Sequence, residues 1–168
     1  MDYLLLIEIT LLVLLIVTAI AVVEAANTLT SVIMLCIFSL LMAALYIIMG
    51  APDVAITEAT IGAGASTLIL LAALLLLGEK EKPAERPWLA LLIVVPMFLL
   101  LCYALVDMPD YGATNAPAHQ HVAKYYIEKT KIEIGIPNIV TAVLASYRGF
   151  DTLGEVTVIL TAGLAVFV

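Results

Sequence analysis

Residues 38–77 read FSLLMAALYIIMGAPDVAITEATIGAGASTLILLAALLLL, and this stretch decides the fold. Apolar runs flank Gly50, Ala51 and Pro52, and each is long enough for a helix rising 1.5 Å per residue to cross a hydrocarbon layer about 30 Å thick. Gly and Pro together punctuate the join, so the stretch reads as two antiparallel membrane helices, Leu29–Met49 and Val54–Leu77. Leu4–Val23 precedes them, and Trp88–Val106 and Thr152–Val168 follow, the last starting as early as Gly149. Asn27 and Thr28 part the first two spans, and GEKEKPAERP closes the third and opens the fourth. The expectation is an all-α integral membrane protein with five transmembrane helices.

Composition agrees. The chain has 168 residues, 64% hydrophobic and 12% charged, far from the roughly half apolar and quarter charged make-up of a soluble domain. So apolar a chain does not stay solvated as a disordered one. Asp and Glu number 14 against 7 Lys and Arg, which excludes the basic footprint a nucleic-acid partner requires. The start, MDYLLLIEIT, lacks a basic region before its apolar run and carries two acids, so the first helix is expected to be retained rather than cleaved as a signal.

Residues 107–148 are too polar to span. DMPDYGATNAPAH reads as irregular, HVAKYYIEKTKIEI as an extended or amphipathic surface segment, and IPNIVTAVLASY as a 12-residue apolar run. Twelve helical residues reach only about 18 Å, so this last run is expected to be a short interfacial or re-entrant helix, with Asn138 at its start. Pro96 predicts a kink in the fourth span.

The charges are unevenly placed. Asp2, Glu8, Glu24, Asp53, Glu58 and Glu79 all precede the first base, Lys80. With five spans, the starts of helices one, three and five face one compartment, and Glu8, Glu58 and Glu155 lie about four, four and three residues inside them. Asp53 and Asp151 stand at the mouths of two of these helices. A carboxylate at the centre of a membrane helix costs about 2.5 to 3.5 kcal/mol and less near its ends, so such groups are functional candidates. The alternative for each is snorkelling to the interface or a structural ion pair.

Around Glu58 the sequence is PDVAITEATIGAGAS, in which Ala55, Ala59, Gly62 and Ser66 recur with α-helical spacing as one stripe of small residues. Gly62 and Gly64 lower the resistance to a π-bulge or kink. A carboxylate beside a deformable, close-packed seam suits a gated proton relay, whereas small-residue packing alone accounts for the glycines but not for the acid. In YRGFDTLGEV, Arg148, Asp151 and Glu155 are spaced to share one face of a continuous helix, with Arg148 as an ion-pair candidate for Asp151; Gly149 and Gly154 speak against continuity. His119 and His121 lack further ligands, Cys36 and Cys102 read as packed thiols, and no nucleotide or nucleophile motif is present, so no metal and no cofactor is expected.

At these motifs a family becomes recognisable. The stretch quoted above closely resembles the C-terminal region of the large MrpA subunit of multisubunit Na+/H+ antiporters and the MbhD subunit of membrane-bound hydrogenases, while IPNIVTAVLASYRGFDTLGEVTVILTAGLAV resembles the MbhE subunit. The resemblance implies residues 1–79 as a three-helix MbhD-like region, 80–86 as a polar connection, and 87–168 as a two-helix MbhE-like region with the long loop 107–148. It implies a fold similar to the NuoJ subunit of respiratory complex I, with a deformable turn in helix three. It implies a non-enzymatic subunit of a prokaryotic cell membrane, beside other Mrp-type or hydrogenase-type membrane subunits, handling Na+ and H+. Glu58, Asp53, Glu155, Asp151 and Glu8 are the expected translocation residues. A scaffold bridging two transporters, or a small self-associated channel, are the competing classes.

Overall fold

A computed structural model describes residues 3–77, 87–110 and 112–167, and the expected polar connection 80–86 lies outside the described residues. The chain divides into two compact units, Met1–Glu85 and Arg86–Val168. Among the described residues, five helices are long and apolar enough to cross a membrane: Tyr3–Glu24, Thr28–Ile48, Pro52–Leu77, Trp88–Val106 and Gly149–Phe167.

In the first unit, α1 is Tyr3–Glu24, α2 is Thr28–Ile48, and α3 runs over Pro52–Leu77. Asn27 starts α2 by accepting the Thr30 N–H on its side chain at 2.8 Å, meeting a donor that would otherwise have no partner at the helix end. Ser31 Oγ donates to the Val22 carbonyl at 2.8 Å, tying the head of α2 to the tail of α1. Gly50 adopts φ +74°, which an L side chain rarely takes, and Pro52 then opens α3 with its fixed φ. α2 packs against both α1 and α3. On α1 the less exposed residues Glu8, Leu11, Leu15, Thr18 and Val22 follow helical spacing and form the covered face. On α2, Val32, Ser39 and Ala43 are buried.

In the second unit, α4 is Pro87–Val106 and continues through Pro96. The loop expected to be partly irregular holds two helices, α5 at Pro117–Gln120 and α6 at Ala123–Glu133. Within residues 121–134 the chain is helical over Ala123–Glu133 rather than extended. Gly135, at φ +75°, turns the chain. The apolar run then gives α7, Ile139–Ala142, extended by a π-helical turn, Val143–Tyr147; Asn138 caps it, accepting the Thr141 N–H at 3.0 Å. A 3-10 turn, Gly149–Thr152, leads into α8, Leu153–Phe167.

Among the described residues few apolar side chains are buried: Leu15, Val32, Ala43, Leu45, Ala55, Ala63 and Ala142. In water this would be a prohibitive surface, but hydrocarbon chains solvate leucine as well as other leucines do. The exposed faces are those of a protein whose solvent is lipid and neighbouring helices.

Candidate functional site

The third span is where the backbone departs from α-helix. Pro52–Thr57 is α-helical, Glu58–Ser66 is π-helical over nine residues, and Thr67–Leu77 is α-helical again. The expected deformable turn is therefore a long π stretch rather than a single bulge. Local chemistry supports it. Thr57 Oγ1 donates to the Val54 carbonyl at 2.8 Å and Thr60 Oγ1 to the Ile56 carbonyl at 2.7 Å, hydroxyl contacts that bend helices where they occur. From α2, the Cys36 thiol donates to the Ala63 carbonyl at 3.4 Å. Sequence alone makes Cys36 only a packed thiol; in the fold it meets a carbonyl of the π stretch.

Glu58 is the first residue of that stretch and is half-buried. Its side chain folds onto Gly62. A Cβ built on Gly62 would lie 2.6 Å from Glu58 Oε1 and 2.9 Å from Ser39 Oγ, closer than real Cβ atoms come. Gly62 therefore leaves open the space that the Glu58 carboxylate and the Ser39 hydroxyl both border. Gly64 is different, since a Cβ there would meet only the Ala59 carbonyl, at an ordinary 3.5 Å.

The small residues expected as one stripe, Ala55, Ala59, Gly62 and Ser66, all lie at covered positions of the span. Ala55 and Ala63 are the buried positions, while Ala59, Gly62 and Ser66 are half-buried. Within the π stretch both Gly62, facing Ser39, and its neighbour Ala63, whose carbonyl meets Cys36, are turned toward α2.

Asp53 lies in the first turn of α3, half-buried, where a negative charge meets the positive end of the helix dipole. Glu8 is half-buried on the covered face of α1. Glu8 is the sixth residue of the span Tyr3–Glu24, Glu58 the seventh of Pro52–Leu77, and Glu155 the seventh of Gly149–Phe167. Each is thus somewhat deeper in its helix than the three or four residues expected, because each helix begins earlier.

In the second unit Arg148 and Asp151 form an ion pair. A continuous helix through Arg148, Asp151 and Glu155, against which Gly149 and Gly154 spoke, is not the route to it. Arg148 has φ −125° and ψ 35°, outside the helical region, and the following turn is 3-10, in which residues three apart eclipse one another. Beyond it Asp151 and Glu155 line one groove with Gly154, Val158 and Ile159. Both acids are exposed within the chain.

One cluster escaped the sequence reading. Glu133, at the end of α6, accepts the Tyr125 hydroxyl on Oε1 at 2.8 Å and the Tyr147 hydroxyl on Oε2 at 2.6 Å. These two phenols hold the Glu133 carboxyl below its ordinary value, and the carboxylate in turn raises both tyrosines. Tyr126 completes the group, its ring 4.9 Å from that of Tyr147. The signal available in the sequence was the Tyr125-Tyr126 pair eight residues ahead of an acid, which pointed at no partner by itself. Among the described residues no group of three or more His, Cys, Asp or Glu is gathered as a metal would require.

Comparison with known proteins places these features. Residues 13–79 match the MbhD family, described as the D subunit of MBH, and residues 93–168 the MbhE family, described as its E subunit. The chain is 28% identical over 127 residues to a protein of Rhizobium meliloti named as the A/B subunit of a probable K(+)/H(+) antiporter, an alignment covering 73% of this chain and 13% of that protein. It is 27% identical over 138 residues to the A subunit of the Na(+)/H(+) antiporter of Alkalihalophilus pseudofirmus, covering 82% of this chain and 17% of that one. With the Na(+)/H(+) antiporter A subunit of Bacillus subtilis the figures are 26% over 160 residues, 95% and 20%. The chain thus spans a fifth or less of the curated relatives it matches. With five apolar spans it is a multi-pass protein of the cell membrane. It carries an MbhD segment and an MbhE segment, one after the other in a single polypeptide.

Proposed function

We propose that this chain is a non-catalytic membrane subunit of a multisubunit cation/proton antiporter module, in which Glu58 relays protons through the third span. The observation that carries the reading is the carboxylate at the head of a nine-residue π-helix, folded over Gly62 beside Ser39. A π stretch can exchange with α-helix by shifting hydrogen bonds along the turn, and that shift turns the residues within it. Glu58 would then alternate between two neighbourhoods, which is what a gated relay requires. Glu8 and Asp53 in the same unit, and Asp151 and Glu155 in the other, are the further proton or cation stations, and Arg148 neutralises Asp151 at the mouth of the fifth span.

The relatives that share this segment are named for potassium in one case and sodium in others. The part held in common is therefore assigned to the step common to both, the movement of protons. The other membrane subunits of an Mrp-type or hydrogenase-type complex supply the cation path and the counter-charges missing from the first 79 residues.

A scaffold is the second reading, favoured by the exposure of every residue in the central part of α4 and α8. Replacing Glu58 by Gln in the native host separates the two. Under the relay reading the tagged chain still recovers its partner subunits while coupled antiport is lost. Under the scaffold reading the partners are lost; normal antiport with full assembly contradicts the relay.

A further inference from the structure

The segment between the fourth and fifth spans is built around one carboxylate. Gly135 reverses the chain so that α6 packs against α7, burying Thr130 and Ala142. Glu133 then reaches Tyr147, fourteen residues on and the last residue of the π turn. The path of the chain beyond Tyr147 depends on where that turn ends. The Arg148 N–H donates to the Val143 carbonyl at 2.8 Å, and the Asp151 N–H donates to the Arg148 carbonyl at 3.0 Å. Arg148 itself has no helical backbone to aim its side chain.

We infer that Glu133 is a positioning residue: by holding the Tyr147 hydroxyl it fixes the end of the π turn, and so holds Arg148 against Asp151 at the mouth of the fifth span. Its other oxygen, on Tyr125, anchors the same carboxylate to α6. The three tyrosine rings enclose the joint, with Tyr125 edge-on to Tyr126 and Tyr147 at 6.2 and 6.1 Å. Helix α6 and the head of α8 thereby move as one body, and a partner that displaces α6 displaces Arg148. The inference goes beyond the relay reading and does not depend on Glu58.

The test is hydrogen–deuterium exchange on the full chain in its native membranes, read at the peptides covering residues 123–133 and 147–152. Glu133→Ala is expected to speed exchange of the Arg148 and Asp151 amides roughly tenfold, since a tie that closed this turn is gone. Glu133→Gln, which keeps one acceptor oxygen, recovers part of the protection. Tyr147→Phe, a change of one atom that serves where Glu133→Ala fails to fold, reproduces the effect; Tyr125→Phe leaves residues 147–152 protected. A tyrosinate absorbance titration gives a second readout, with Tyr147 ionising at lower pH in Glu133→Gln than in the parent. Unchanged exchange at residues 147–152 in both Glu133→Ala and Tyr147→Phe overturns the inference, as does equal loss in Tyr125→Phe.

Discussion

Replacing Gly62 by Ala probes the geometry around Glu58 most sharply. The new Cβ would stand 2.6 Å from Glu58 Oε1, 3.1 Å from its Cδ and 2.9 Å from Ser39 Oγ. Attractive contact between such atoms begins near about 3.5 Å, so the carboxylate must retreat by several tenths of an ångström or more. Moving one side chain off its preferred rotamer costs about 0.5–1.5 kcal/mol, and inserting a methyl into a packed seam costs about 1–3 kcal/mol. The carboxylate is the flexible partner, so the expected loss of stability is near the lower of these ranges. Function should suffer more, because proton transfer requires heavy atoms within hydrogen-bond reach. Antiport is expected to fall at least about tenfold while the complex assembles. Gly64→Ala is the control: its Cβ would meet only the Ala59 carbonyl at 3.5 Å, and replacing Gly by Ala in a helix is favourable by up to about 1 kcal/mol. Dye-monitored proton flux in everted vesicles and thermal unfolding of the purified complex give the two readouts. Wild-type flux in Gly62→Ala, or an equal loss in Gly64→Ala, would refute the claim that Gly62 serves as space for the carboxylate.

Arg148→Gln should change thermal stability by less than about 1 kcal/mol, because both partners of the ion pair are more than half exposed; a larger loss in calorimetry would mean that the pair is covered by a neighbour. The α6 hairpin should hold its order over a broad pH plateau. Glu133 has a lowered folded value, so its contribution is present above the ordinary 4.5 and is lost as pH falls through that folded value. Tyr125 and Tyr147 have raised values, so theirs is present below 10.0 and is lost as pH rises through the folded ones. Amide exchange across residues 123–147 is the check, and a transition near neutral pH would contradict the assignment. Asn138→Ala should loosen α7 by about 1 kcal/mol through loss of the cap on Thr141, seen as faster exchange of residues 141–145 alone.

The five spans were legible because a membrane helix announces itself by length and apolarity, and each observed helix begins or ends within a few residues of its sequence reading. The deformable turn in α3 was legible from Gly62 and Gly64. Its extent was not, since nine residues of i→i+5 bonding are a cooperative choice of the backbone that no single residue dictates. The burial of Ala63 beside Gly62 follows from that stretch and was not read from the α-helical spacing. Arg148 and Asp151 were paired correctly by their three-residue spacing, although a 3-10 turn rather than an α-helix brings them together. Ser39, Cys36 and the tie from Glu133 to Tyr147 were illegible for a common reason. Each is a contact between separate elements, set by how helices pack and where Gly135 turns the chain, and local spacing carries no trace of it.

The central claim is that Glu58 carries protons, and cation-driven proton flux through the intact complex carrying Glu58→Gln measures it most directly. Reconstituted in liposomes beside the parent complex, with every partner subunit present in equal amount, the variant is expected to show no coupled flux with either sodium or potassium as the driving cation. Flux at the parent rate with either cation would contradict the account.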